Sequence, residues 1–230
     1  MKSAKRPLTY LDFVVLSFIF FGYFAYVSVV GYIHEPTPDP ILASSFSDDA
    51  NWSSILIELT FLVVAGIYLW WRKFDVKLLD FSVNKMTLPM VIGLLIVGGL
   101  TTDLVLYVSY GISTGGSPFI PDATQAQTDL FAHISIALLL FAVINGFYEE
   151  LFFMGLTFAV LPKHRLYALI SSVFVRFIFH IYQGLWSAVA IAMMGVVFIA
   201  LRQKIKSITP FAIAHAVFDV FGAGIIFLFL

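Results

Sequence analysis

The sequence predicts an all-α protein, a polytopic transmembrane helical bundle of about seven spans with its N-terminus cytoplasmic. Three observations carry that prediction. The 230-residue chain is 60% hydrophobic and only 12% charged, with a mean hydropathy of +0.97, whereas soluble domains carry about 25% charged residues. Its apolar residues gather in seven stretches near the roughly 20 residues that a helix needs to cross the hydrocarbon core. Its basic residues fall in alternate connections, the bias that sets orientation. Length alone allows one or two soluble domains, but no segment is polar and long enough to be one.

Lys2, Lys5 and Arg6 precede an apolar run over 11–33. That run is longer than a signal-peptide h-region and lacks a small-residue cleavage site, so it reads as the first span. The others cover 53–71, 88–112, 130–161, 167–183, 185–201 and 210–230. The fourth is long enough to be tilted or broken. Gln183-Gly184 makes a tight hairpin of the fifth and sixth. Arg72, Lys73, Lys77 and Lys85 lie between spans two and three, Lys163 and Arg165 between four and five, and Arg202, Lys204 and Lys206 between six and seven. Every Lys and Arg except Arg176 therefore falls on one side, while the other connections carry Glu35, Asp39, Asp48, Asp49, Asp122 and Asp129. Trp52, Trp70, Trp71 and Trp186 sit at span ends, where amphipathic rings favour the interface. The loops around Pro36, Pro38 and Pro40, and around Gly115-Gly116 and Pro118, read as exposed connectors. Nothing forms a basic face for nucleic acid, and the net charge of −1 points to no partner. The absence of cysteine excludes disulfides, thiol catalysis and thiolate metal sites.

Polar groups inside the apolar stretches are the informative exceptions. Glu149 and Glu150 stand side by side in the fourth, although one charge at the centre of a membrane helix costs roughly 2.5–3.5 kcal/mol on insertion scales. Arg176 and His180 lie in the fifth, and His215 and Asp219 in the seventh. At 1.5 Å per residue, Glu149 is roughly 20 Å from Pro162, His180 roughly 22 Å from Arg165, and His215 and Asp219 roughly 8 and 14 Å beyond Pro210. All can share one layer from mid-membrane to the inner leaflet. Glu58, Asp103 and His133 fall nearer the outer ends of their spans and read as structural groups. His215 and Asp219, like Arg176 and His180, are i,i+4 and share a helix face. Adjacent Glu149 and Glu150 point about 100° apart, so one can face a reaction centre while the other orients a neighbour.

Three chemistries use such a set. A carboxylate takes a proton from water while histidine orients it and other donors hold the oxyanion. Two histidines and a carboxylate hold Zn2+ with a position open to water, here Glu149, His180 and His215. Carboxylates and histidines also relay protons in transporters, although the matching repeats of transporter halves are absent. Neither HExxH nor GxSxG occurs.

Glu149-Glu150-Leu-Phe-Phe-Met154-Gly155 resembles the EExxxR-G signature of the CPBP family of intramembrane proteases, the CAAX protease and bacteriocin-processing (ABI) group. Arg176-Phe-Ile-Phe-His180-Ile-Tyr182-Gln183-Gly184 is similar to its second motif, FxxxH, and His215-Ala-Val-Phe-Asp219 to its third, Hxxx(N/D). The resemblance covers about 141–220, so 131–230 reads as a CPBP-like core and 1–130 as helices with little family signal. It implies a membrane endopeptidase, often called a metalloprotease although a metal-free glutamate mechanism is also proposed for the family. Glu149 with His180 would activate water, Glu150 would support the site or Arg176, and His215 with Asp219 would bind the oxyanion. The implied partners are membrane lipid and a peptide or protein substrate at the bilayer, prenylated or bacteriocin-like, in the cell (inner) membrane; oligomeric state is not implied. Two positions depart from the pattern. Met154 stands where the family has arginine, and Arg176 where it has phenylalanine. Degeneration into an inactive immunity or scaffold protein is one reading. Relocation of the guanidinium from the fourth span to the fifth, still pairing a glutamate of the first motif, is the other.

Overall fold

The computed structural model describes residues 6–34, 47–113, 115 and 134–225. Lys2, Lys5, Glu35, Pro36, Pro38, Asp39, Pro40, Gly116, Pro118, Asp122, Asp129 and His133 lie outside the described residues, as do the 130/131 boundary and 226–230. Among the described residues there are seven α-helices and no strands. These are α1 (Tyr10–His34), α2 (Asp48–Trp71), α3 (Thr87–Ser113), α4 (Ile136–Glu150), α5 (Pro162–His180), α6 (Leu185–Arg202) and α7 (Thr209–Phe221). Short 3₁₀ turns occupy Val76–Leu78 and Ile181–Gln183.

Local chemistry explains the helix ends. Before α1, Thr9 and Asp12 cap each other: the Thr9 N–H and hydroxyl both donate to Asp12 Oδ2 at 2.8 Å, and the Asp12 N–H donates to Thr9 Oγ1. Ser47 and Ser135 accept N–H groups from the first turns of α2 and α4. Proline opens α5 and α7, where a missing N–H costs nothing. Gly184 takes φ +94° to reverse the chain into α6, and Gly222 takes φ +84° to end α7. Among the described residues of the expected seventh span, 210–230, the helix covers 13 residues, Thr209–Phe221, about 20 Å and shorter than one crossing needs. Six helical segments are long and apolar enough to cross, counting α4 with its continuation to Leu156 and α5 with its turn to Gln183.

That continuation, Leu151–Leu156, is a π-helical segment directly after Glu150. Phe152 O accepts both the Thr157 N–H (3.0 Å) and the Thr157 hydroxyl (2.9 Å). Such wide turns are frequent at functional sites, and this one carries the long fourth stretch on as one span to Leu156.

All the described Lys and Arg residues except Arg176 collect at one end of the bundle, where the connections are stitched together. Arg6 N–H donates to Lys73 O, Leu8 N–H to Ala159 O, Leu161 N–H to Leu8 O, and Ile208 N–H to Asp80 O at 2.7 Å. Arg72 donates from Nε and Nη2 to Asp12 at 2.5 and 3.0 Å, joining the start of α1 to the end of α2. At the opposite end Ser135 Oγ donates to Asp48 Oδ1 at 2.5 Å, so the parallel helices α2 and α4 begin level with each other.

Two packings position the interior groups. Helix α4 lies against α7 at Gly146, where an added Cβ would come 2.6 Å from Ala212 O and 2.9 Å from Ala216 N. Only glycine allows that approach. Helix α6 offers Gly195, where a Cβ would come 2.9 Å from Arg176 Cδ. One wall of the interior is aromatic: Phe20, Phe21, Tyr148, Phe152, Phe153 and Phe179 stack with several centroid separations of 4.7–5.1 Å.

Candidate active site

The close approach of α4 and α7 brings the first and third motifs together. Glu150 is fully buried. Its Oε1 accepts from Arg176 Nη2 at 2.7 Å and lies 2.8 Å from His215 Nδ1. Arg176 is buried too, with its guanidinium carbon 4.1 Å from the centroid of the Phe153 ring and its chain in the notch left by Gly195. Met154 and Arg176 line one small void between α4, α5 and α6. The guanidinium on α5 thus reaches a first-motif carboxylate from beside the position where the family pattern carries arginine.

His215 is the hub. With Nδ1 on Glu150, its Nε2 lies 3.6 Å from both Glu149 Oε1 and Asp219 Oδ1. Asp219 is fixed on its other side by Asn145, whose Nδ2 donates to Oδ2 at 2.9 Å. Asn145 precedes Glu149 by one helical turn and shares its face. Glu149 is buried and its Oε2 has no protein partner, as suits an atom meant for a water or a reacting group. Glu150 Oε2 and Arg176 Nη1 are also buried and unpartnered.

His180 is placed differently. Its Nδ1 lies 2.8 Å from the carbonyl of Arg176. A carbonyl only accepts, so Nδ1 carries the proton and Nε2 keeps a lone pair. Among the described residues no hydrogen bond joins His180 to Glu149, although the charge of His215 reaches His180. The structure therefore connects Glu149, Glu150, Arg176, His215 and Asp219 into one network and leaves His180 beside it.

Two further groups bear on the network. Asn145 gave no signal beyond its i,i+4 spacing from Glu149. Glu58, expected as a structural group near the outer end, corrects that expectation. It is 2% exposed, its Oε2 has no partner, and the charges of Glu149, Asp219 and His215 act on it. Helix α2 starts at Asp48 rather than 53, so Glu58 lies about 15 Å below the cap, level with Asn145, which lies equally far from Ser135. Asp103, by contrast, stays structural: its Oδ2 accepts the Ile225 N–H at 2.9 Å, tying α3 to the end of α7.

The fit of zinc follows from these positions. The donor types of Glu149, His180 and His215 suit it. Yet among the described residues no three His, Asp or Glu side chains come together closely enough to hold a metal ion. The residues as placed do not fit a zinc centre, and the chemistry below uses the side chains alone.

Residues 131–221 match the family model described as type II CAAX prenyl endopeptidase, Rce1-like. This part of the chain is similar to that family. The match spans α4 to α7, contains all three motifs, and is consistent with the CPBP resemblance. At the level of the family it supports a CAAX-type endopeptidase. Six apolar spans together with an Rce1-like core make the chain an integral membrane protein. No curated protein and no solved structure matches the chain.

Proposed function

We propose that this Rce1-like chain is an intramembrane endopeptidase that hydrolyses a peptide bond of a membrane-associated substrate with a carboxylate-activated water. One observation carries the reading: His215 holds Glu150 at one ring nitrogen and turns the other between Glu149 and Asp219, joining motif residues of α4 and α7.

Glu149, with an unpartnered oxygen, takes the proton of the attacking water as the water oxygen bonds to the scissile carbonyl carbon. His180 orients that water through its Nε2 lone pair. The carbonyl electron pair moves onto oxygen, where His215 Nε2–H donates to it. Asp219, held by Asn145, sets the position of that donor from the far side. The intermediate collapses, the C–N bond breaks, and Glu149 returns its proton to the leaving amine. Glu150 takes no proton in this sequence; it anchors His215 and is neutralised by Arg176.

A site this buried suits substrates that arrive from the bilayer, such as a prenylated C-terminal segment or a bacteriocin-like peptide, in the cell (inner) membrane. The Arg176–Glu150 ion pair supports activity over an inactive scaffold role, because the guanidinium absent at Met154 is supplied from α5. The test is cleavage of a prenylated CAAX peptide and of a short bacteriocin-like precursor by purified protein in neutral lipid. Glu149→Gln, His180→Ala and His215→Ala should each lower kcat by about 10²–10⁴. Wild-type turnover in all three variants, each shown to be folded, overturns the assignment.

A further inference from the structure

At the basic end of the bundle, away from the site above, a cleft of about 490 Å³ opens between the start of α5 and the end of α6. Arg165, Arg202 and Lys206 line it together with Phe158, Leu166 and Leu169, and no carboxylate among the described residues lines it. Arg202 is buried and donates to two carbonyls, Met154 O at 2.8 Å and Ile205 O at 2.9 Å, above the Phe158 ring. Arg165 Nη2 donates to Val160 O at 3.3 Å, while its Nε is buried without a partner. Among the described residues none of the three forms a salt bridge. Asp80 acts on Arg202 and Lys206 from outside the cleft. It is held ionised, below the usual carboxylate range, mainly by the Ser82 N–H that donates to it at 2.8 Å. One carboxylate thus acts on two of the three cations.

The apolar side has a direction. Leu166, Ile170 and Phe174 are all strongly exposed and lie i,i+4 apart, so they form one strip running up α5 from the cleft into the hydrocarbon. A cationic pocket continued by an apolar strip, at the depth where helices leave the membrane, has the two halves of a phospholipid's chemistry. By the positive-inside bias this end is cytoplasmic, the leaflet in which anionic lipids are enriched and in which basic pockets between helices take phosphate headgroups. We propose that the cleft binds the phosphate headgroup of an anionic phospholipid through Arg165, Arg202 and Lys206, with an acyl chain along Leu166, Ile170 and Phe174.

The test uses the full chain, purified and delipidated in neutral detergent, and titrated with dioleoylphosphatidylglycerol, dioleoylphosphatidylcholine or inorganic phosphate. Retained lipid is counted by native mass spectrometry. Arg202 is left in place because it holds the Met154 carbonyl; Arg165→Gln/Lys206→Gln removes the charges of half-buried Arg165 and exposed Lys206, and thermal unfolding checks that the variant folds. At about 5-fold per cation near a membrane surface, the double variant should bind phosphatidylglycerol about 30-fold more weakly. The control Lys77→Gln/Lys85→Gln, two charges from the same end that do not line the cleft, should stay within about 3-fold of wild type, because its charges act only at a distance. Equal binding of the two phospholipids overturns the proposal. So does an equal loss in the control, which would mean diffuse charge. Displacement of phosphatidylglycerol by equimolar inorganic phosphate also overturns it, in favour of a soluble anion.

Discussion

Removing the Arg176 guanidinium is the sharpest test of the interior. Arg176 and Glu150 are 1% and 0% exposed at the side chain and 2.7 Å apart. Truncation of one partner of such a pair leaves the other charge buried, and breaking buried pairs costs about 3–5 kcal/mol. For a chain of this size, roughly 2–4 °C of Tm accompanies each kcal/mol, so Arg176→Met should unfold roughly 6–20 °C lower in the same detergent. The loss should be partly reversible from a neighbouring position. Met154 lines the same void as Arg176, so Met154→Arg on the Arg176→Met background returns a guanidinium to reach of Glu150 and should recover at least half of the lost Tm. The pairing can also be measured as a coupling: Arg176→Met/Glu150→Gln should lose less than the two single changes added together, by about 1–3 kcal/mol. Thermal melts followed by intrinsic tryptophan fluorescence serve as the assay. A single variant within about 1 kcal/mol of wild type, or additive losses in the cycle, would refute the ion pair as the anchor of the site.

Further outcomes follow from the same geometry. Asp219→Asn preserves the acceptor for Asn145 Nδ2 and offers an amide donor to the site, so it should keep cleavage within about 10-fold of wild type, whereas Asp219→Leu should lose about 10²–10³ in kcat. Gly146→Ala drives a methyl into the backbone of α7 and should cost at least about 1–3 kcal/mol in a melt. Gly66→Ala, with nothing within 4 Å of the added carbon, should instead gain about 0.5–1 kcal/mol. Because among the described residues no three donors converge on a metal position, cleavage should survive prolonged chelation, and elemental analysis should find less than stoichiometric zinc. One zinc per chain, with activity lost on its removal, would overturn that reading of the site.

Much about this protein is determined by patterns along the chain. Spans follow from apolar run length, and the side on which the cations gather follows from their alternation between connections. The motif residues stand out because carboxylates and imidazoles are costly in lipid wherever they sit. What only the tertiary structure decided are distances between segments far apart in sequence. Arg176 meets Glu150 because Gly195 on α6 leaves a notch for its stem, and Glu149 meets His215 because Gly146 lets two backbones touch. Glu58 lies level with Asn145 because α2 starts earlier than its apolar run and begins level with α4. His180 stands apart because its ring is turned to its own helix's carbonyl. Hydropathy is a property of single residues and short windows. Pairing energy depends on which faces meet, and that is set by packing that no window along the chain contains.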